Sequence, residues 1–264
     1  MKLKTTAGSN AYGHMTDIPW DHQVALGLVD GVSFVYKWGE NKDVDGATED
    51  VWTPGGSRTD LTTASTLTIV STSNEDGAGT QTGALSMVIE GLDSDWLEQV
   101  ESVTLTGTTP IVTTSTWLRI NRMYVTSSGS EQHNVGDINV TATTGGSTQG
   151  QIAATTAQTQ STHFAVPANK RGLIVSIDKS IDGGTKNVEV DIHLEVKVFG
   201  SNTWRNRHEE ILLDTATSNH NHDWYIGGIY VGPKSDIVVR AEVIGGTNVH
   251  VNSAYTVVLY ETEV

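Results

Sequence analysis

No cysteine occurs among the 264 residues. Disulfides, thiol nucleophiles, cysteine-ligated zinc and iron–sulfur clusters are therefore excluded. A chain without thiols is indifferent to redox poise, so the compartment stays open. Charged side chains make up 18%, below the usual quarter. Positive charge is the scarcer sign: 16 Lys and Arg face 31 Asp and Glu, for a net charge of −15. Most of the imbalance lies in residues 1–150, with 18 acids against 7 bases. A nucleic-acid footprint needs clustered Lys and Arg, so no nucleic-acid partner is expected. An anionic membrane surface is disfavoured for the same reason. No stretch approaches 18 apolar residues, so no transmembrane helix is expected. Lys2 and Lys4 are not followed by an apolar run. No signal peptide and no secretion by that route are expected, only synthesis in a cytoplasm.

Threonine is the most frequent residue, with 36 copies, and Gly has 27. That composition is too β-prone for disorder. Short alternating segments recur, bounded by Gly, Pro, Asn and Asp. Examples are Leu67–Ser71, Ala84–Glu90, Val103–Thr106, Trp117–Val125 and Ile138–Ala142. The clearest runs from Val188 to Phe199, with Val188, Val190, Ile192, Leu194, Val196 and Val198 on one side. Asp182-Gly183-Gly184 and Gly245-Gly246-Thr247-Asn248 carry hairpin chemistry. Only Asp93–Glu101 reads helically. This spacing predicts an all-β chain of two β-sandwich or jelly-roll-like domains, over residues 61–145 and 146–264. The break falls in the Gly/Thr/Gln-rich stretch Thr143–Gln160. Residues 1–60, irregular apart from a strand near Gly31–Lys37, are expected to form an anchor segment that orders on assembly.

Residues with catalytic or ligating chemistry are sparse. His220-Asn221-His222-Asp223 is the densest metal-ligand cluster, since two His at i and i+2 on a strand point the same way. His220, His222 and Asp223 are the metal candidates, set against the preferred reading of a polar loop and no bound cofactor. Asp43-Val44-Asp45-Gly46 opens like a calcium loop, but Ala47 and Pro54 stand where ligands are needed. No Gly-x-Ser-x-Gly elbow and no lysine-bearing phosphate loop is present. Asp93 with Asp95, or Glu98 with Glu101, offer generic carboxylate pairs. Trp20, Trp38 and Trp52 sit beside Gly and Asp rather than in apolar runs. Such aromatics are candidate partner-binding anchors, with packing under long loops as the competing reading.

Several stretches together resemble a family of β-rich virion structural proteins of tailed bacteriophages, often marine ones. They are Tyr36–Asp45, Val51–Gly56, Val88–Asp93, Glu101–Pro110, Leu118–Met123 and Gly136–Ile138, with a weaker return at Ala165–Gly172. The run from Gly91 to Met123 is the specific part. The family pattern has a shorter Gly-Thr-Gly-Ala turn, where Gln81-Thr82 is inserted here, and a Gly where Asn169 stands. The resemblance implies a structural role and carries over no catalytic residue. It implies a virion protein made in the host cytoplasm and docking on other virion proteins of capsid, neck or tail. Head decoration is favoured on size and compactness. A homo-oligomer, a trimer or larger ring, is expected. The alternative is a host-surface glycan-binding (receptor-binding) module, which requires exposed Trp or Tyr near Asp or Asn. A polysaccharide-cleaving enzyme would require two carboxylates converging in a cleft.

Overall fold

The structure is a computed structural model and describes residues 18–184, 187–215 and 219–262. Strands take up 57% and helix 3% of the described residues, an all-β structure. A short helix α1 (Trp20–Ala25) is followed by β1 (Val32–Val44) and β2 (Glu49–Asp50). Then come β3 (Leu67–Ser71), β4 (Ala84–Leu92), β5 (Glu98–Thr104), β6 (Ile111–Val112), β7 (Arg119–Ser128), β8 (Ile138–Ala142) and β9 (Thr148–Ile152). The rest of the chain supplies β10 (Phe164–Ala165), β11 (Lys170–Asp182), β12 (Asn187–Lys197), β13 (Arg205–Thr215), β14 (Asn219–Val231), β15 (Asp236–Gly245) and β16 (Val249–Glu261).

All pairings between strands are antiparallel, in four sheets. Two sheets form the first body: β6-β3-β8-β9 and β5-β4-β7. They share one core of Leu67, Ile69, Met87, Ile89, Trp117, Ile120, Met123, Ile138, Val140 and Ile152. The other two form the second body: β1-β16-β11-β14, and β10-β15-β12-β13 with β2 beside β15. Ile174, Ile177, Val251, Tyr255 and Val257 of one sheet meet Val190, Ile192, Leu194, Val239 and Ala241 of the other. The β12 alternation is thus realised, and each buried aliphatic contributes about 1.5–3 kcal/mol.

The anchor expected over residues 1–60 is corrected from residue 32 onward. β1 runs the length of β16, from Val32 opposite Tyr260 to Val44 opposite Val249, and β2 pairs with β15. Residues 1–17 of that segment lie outside the described residues. The first body is therefore inserted between β2 and β10 of the second. β9 pairs with β8, so the Gly145-Gly146 break is a turn inside the first body. Gly39 lets β1 cross beneath the chain here. A Cβ on it would lie 2.5 Å from the Val51 carbonyl and 2.6 Å from the Thr162 nitrogen.

Asp93–Glu101 is not helical. Asp93 Oδ1 accepts the N–H groups of Asp95 and Leu97 at 2.8 and 2.9 Å, and Trp96 takes φ 65°. This is the local competition by which Asp favours turns over helices. The strict alternation expected along Trp117–Val125 also breaks. The β4–β7 register shifts between Glu90 and Gly91, leaving Asn121 without an opposite residue. Ile120 and Met123, three residues apart, consequently reach one core.

Candidate functional site

The bulge at Asn121 organises the junction between the two bodies. Bulges re-aim side chains at functional positions. The Asn121 amide donates to the Ala165 carbonyl (3.0 Å), and its Oδ1 accepts the Ala165 N–H (2.8 Å). The Asn121 carbonyl accepts from Lys37 Nζ at 2.5 Å. A cleft of about 1070 Å³ opens beside it, between β1 on one side and β4, β5 and β7 on the other. Phe34, Lys37, Trp38, Glu90, Arg122 and Gln158 are among its lining residues. Lys37 is buried. Desolvation, helped by the charges of Arg58 and Arg122 against that of Glu90, pushes its ammonium down to about 7.

One further ionic cluster cements the junction, and another lies within the second body beside it. Arg119 of β7 forks onto Asp236 of β15, Nε to Oδ1 at 2.7 Å and a terminal nitrogen to Oδ2 at 3.0 Å. Asp60, Arg58 and Lys197 complete that cluster. Burial would raise the Asp60 carboxyl, but Arg58, Arg119 and Lys197 hold it well below the carboxylate range. Leu92, Trp96, Leu118 and Ala165 make a small apolar seam beside it. Nearby, His163 Nε2 lies 2.9 Å from Asp50, and Ser161 Oγ lies 2.9 Å from His163 Nδ1. Burial, then the Arg58 charge, pushes the His163 imidazole down to about 4, so it is neutral near pH 7. Its Nε2–H then donates to Asp50 and its Nδ1 accepts from Ser161. Burial works against the Asp50 charge, but His163, Arg240 and the Arg58 N–H outweigh it and hold the carboxyl at about 2. None of Ser161, His163 and Asp50 lines the cleft, and the chain of hydrogen bonds ties β2, β10 and β15 together.

Inside the second body, the Lys179 ammonium is fully enclosed. It donates to Asp223 (2.6 Å), to His208 Nε2 (2.8 Å) and to Glu210. His208, Glu210 and Asp223 have atoms close enough together to ligate an ion, but the lysine ammonium already serves them. The candidate grouping of His220, His222 and Asp223 is corrected, and so is the polar loop preferred there, since all three lie in β14. His220 and His222 flank Asp178 on the outer face of their sheet, whereas Asp223 turns inward to Lys179. Successive strand residues point to opposite faces, so the three cannot share one ion.

The tryptophans divide. Trp52, expected at a partner surface, is only 3% exposed; its Nε1 donates to the Gly55 and Gly56 carbonyls, and its ring meets His163 edge-on. Its indole closes its own turn, which is the reason it is inside. Trp20 is 40% exposed and stands edge-on to Phe34. Trp38 lines the cleft. The generic carboxylate pairs do not converge. Asp93 caps its turn, Glu101 accepts the N–H groups of Thr114 and Ser115, and Glu98 pairs with Lys170 at 2.7 Å. Lys37 and Lys179 escape the sequence reading. Lys179 carries a signal, since it occupies an inward position of the apolar phase Ile177-Lys179-Ile181. Lys37 carries none, since Ser33, Gly39 and Asn41 share its phase.

No family model and no curated protein matches the chain. Among solved structures, one of infectious bursal disease virus, Gt strain, aligns at 10% identity and TM-score 0.22, over 89% of this chain and 78% of that one. One of the Gx strain aligns at 9% identity and TM-score 0.22, over 87% and 76%. A TM-score of this size does not define a shared fold. Among the described residues, no helix is long and apolar enough to cross a membrane.

Proposed function

We propose that the protein is a non-enzymatic structural component of a tailed-bacteriophage virion. It consists of two β-sandwich bodies that dock on other virion proteins and on copies of themselves. One observation carries the reading. β13 and β14 are successive strands and, among the described residues, each is hydrogen-bonded on one side only, at the margins of the two sheets of the second body. Ile211 and Leu213 of β13 and Ile226 and Tyr230 of β14 stand out into solvent there, Ile226 completely. Long unpaired edges carrying apolar side chains are an aggregation hazard unless a partner covers them. The resemblance over Gly91–Met123 supports the same reading, because that run builds the junction between the bodies. A Cβ on Gly91 would lie 2.1 Å from the Arg119 carbonyl, and Leu92, Leu118 and Arg119 form the seam and its ion cluster.

Attachment to the head as a decoration protein is the favoured position, with neck or tail as the other. Light scattering on the purified chain tests the assembly step. A discrete trimer or larger ring is expected, and Leu213→Lys with Ile226→Lys should reduce it to monomer. A monomer of 28.3 kDa at every concentration would refute self-assembly.

A further inference from the structure

The outer face of the β1-β16-β11-β14 sheet is built as a groove. Register places Tyr36, Thr256, Ser176 and Trp224 in one cross-strand row. The next row is Trp38, Ala254, Asp178 and His222. In both rows the large rings stand on the outer strands and small side chains fill the two central ones. The walls are therefore three strand spacings apart, about 14 Å, over a low floor. A hollow of about 270 Å³ lies between Tyr36 and Trp38 on one side and Asp178, Ser180 and His220 on the other, with Asn252 and Ala254 beneath. Tyr36 is 65% exposed and Trp224 71%. The His222 ring meets Trp224 edge-on at 4.9 Å and hydrogen-bonds Asp178, which fixes that wall.

We propose that this groove binds a neutral oligosaccharide. A pyranose ring has an apolar C–H face and a rim of hydroxyls. Tyr and Trp present apolar faces of matching width at little entropic cost, together with a polar tip. Carboxylate, amide and hydroxyl groups such as those of Asp178, Asn252 and Ser180 offer the acceptors and donors that sugar hydroxyls need. The aromatics are separated by a polar floor rather than joined in one apolar patch, which suits a sugar better than a protein surface. Asp178 and the net charge of −15 select against sialylated or uronate-bearing chains. The groove lies on a sheet face, and the docking edge proposed above is not needed for it.

The test is an array of immobilised neutral gluco-, galacto-, manno- and N-acetylhexosaminyl oligosaccharides probed with the full chain. The best-bound oligosaccharide is then titrated calorimetrically. Saturable binding to at least one class is expected. Trp224→Ala and Tyr36→Ala should each weaken it tenfold or more, and Trp20→Ala should leave it unchanged. Trp224 is exposed enough that its removal spares the fold, which circular dichroism checks. A silent array, or binding that Trp224→Ala and Tyr36→Ala both retain, overturns the proposal. If the face instead captures a purified virion protein and loses it in Trp224→Ala, the groove is a protein site and the sugar assignment is wrong. Failure of self-assembly with sugar binding intact would count against the docking reading alone.

Discussion

Lys37 makes the junction between the bodies sensitive to alkaline pH in an unusual direction. An ordinary lysine keeps its proton to about 10.5, whereas this one is pushed down to about 7 by desolvation and by Arg58 and Arg122. Between those two values the unfolded chain binds a proton that the folded chain does not, so stability rises with pH. At about 1.4 kcal/mol per tenfold, the whole interval is worth roughly 5 kcal/mol, and the portion from pH 7 to pH 10 about 3.5 kcal/mol. Lys37→Met removes the charge and leaves the Asn121 carbonyl without its donor, a pH-independent loss of about 1 kcal/mol. Urea unfolding of both proteins at pH 7, 8.5 and 10 isolates the effect, since all other titrations cancel. The methionine variant should be the more stable at pH 7, and its advantage should shrink by about 3.5 kcal/mol by pH 10. Parallel stability curves would show that the ammonium is solvated and that the cleft does not desolvate it.

Acid acts through a second buried group. His163 is held at about 4, so its contribution is complete above pH 6.5 and is lost as pH falls from there toward 4, by about 3 kcal/mol. Thermal melts of His163→Gln should be lower at pH 7 and flatter across that window than those of the parent chain. Lys179→Met leaves Glu210, Asp223 and His208 facing one another without their cation, and chemical denaturation should show a loss of about 3 kcal/mol. An unchanged midpoint would mean that solvent already compensates the carboxylates. Asp76 is buried and accepts from Ser71 Oγ and the N–H groups of Ala84, Val135 and Gly136. Asp76→Ala strands three backbone donors and should cost about 3 kcal/mol or more in the same assay.

The strands were largely legible because half-buried β-structure writes its period into the sequence. Val188–Val196 alternates cleanly, and every apolar member of the run is buried. What pairing distance hides was not legible. β1 and β16 lie more than 200 residues apart, and nothing local in Val32–Val44 marks it as an edge strand closing the C-terminal body. The bulge at Asn121 was equally silent, because it arises from a register shift against Gly91. It explains why the expected faces of Trp117–Val125 are mixed. Exposure of the aromatics is decided by the sheet, which the local sequence does not show. Tyr36 and Trp224 lie in the sequence without a mark, yet both are exposed on the outer face, while Trp52 folds back on its own Pro54-Gly55-Gly56 turn. The histidines fail as a metal set for the same reason that strands alternate: Asp223 shares their strand but not their face.

The central claim is that the chain is a stoichiometric part of a virion. Quantitative mass spectrometry decides it, on purified virions of the tailed phage to which the proposal assigns the chain, washed in high salt to strip adventitious protein. A virion component stays with the washed particles at a fixed copy number, in multiples set by the symmetry of its attachment site. Its absence from washed particles, with the chain recovered free in the lysate, would contradict the claim.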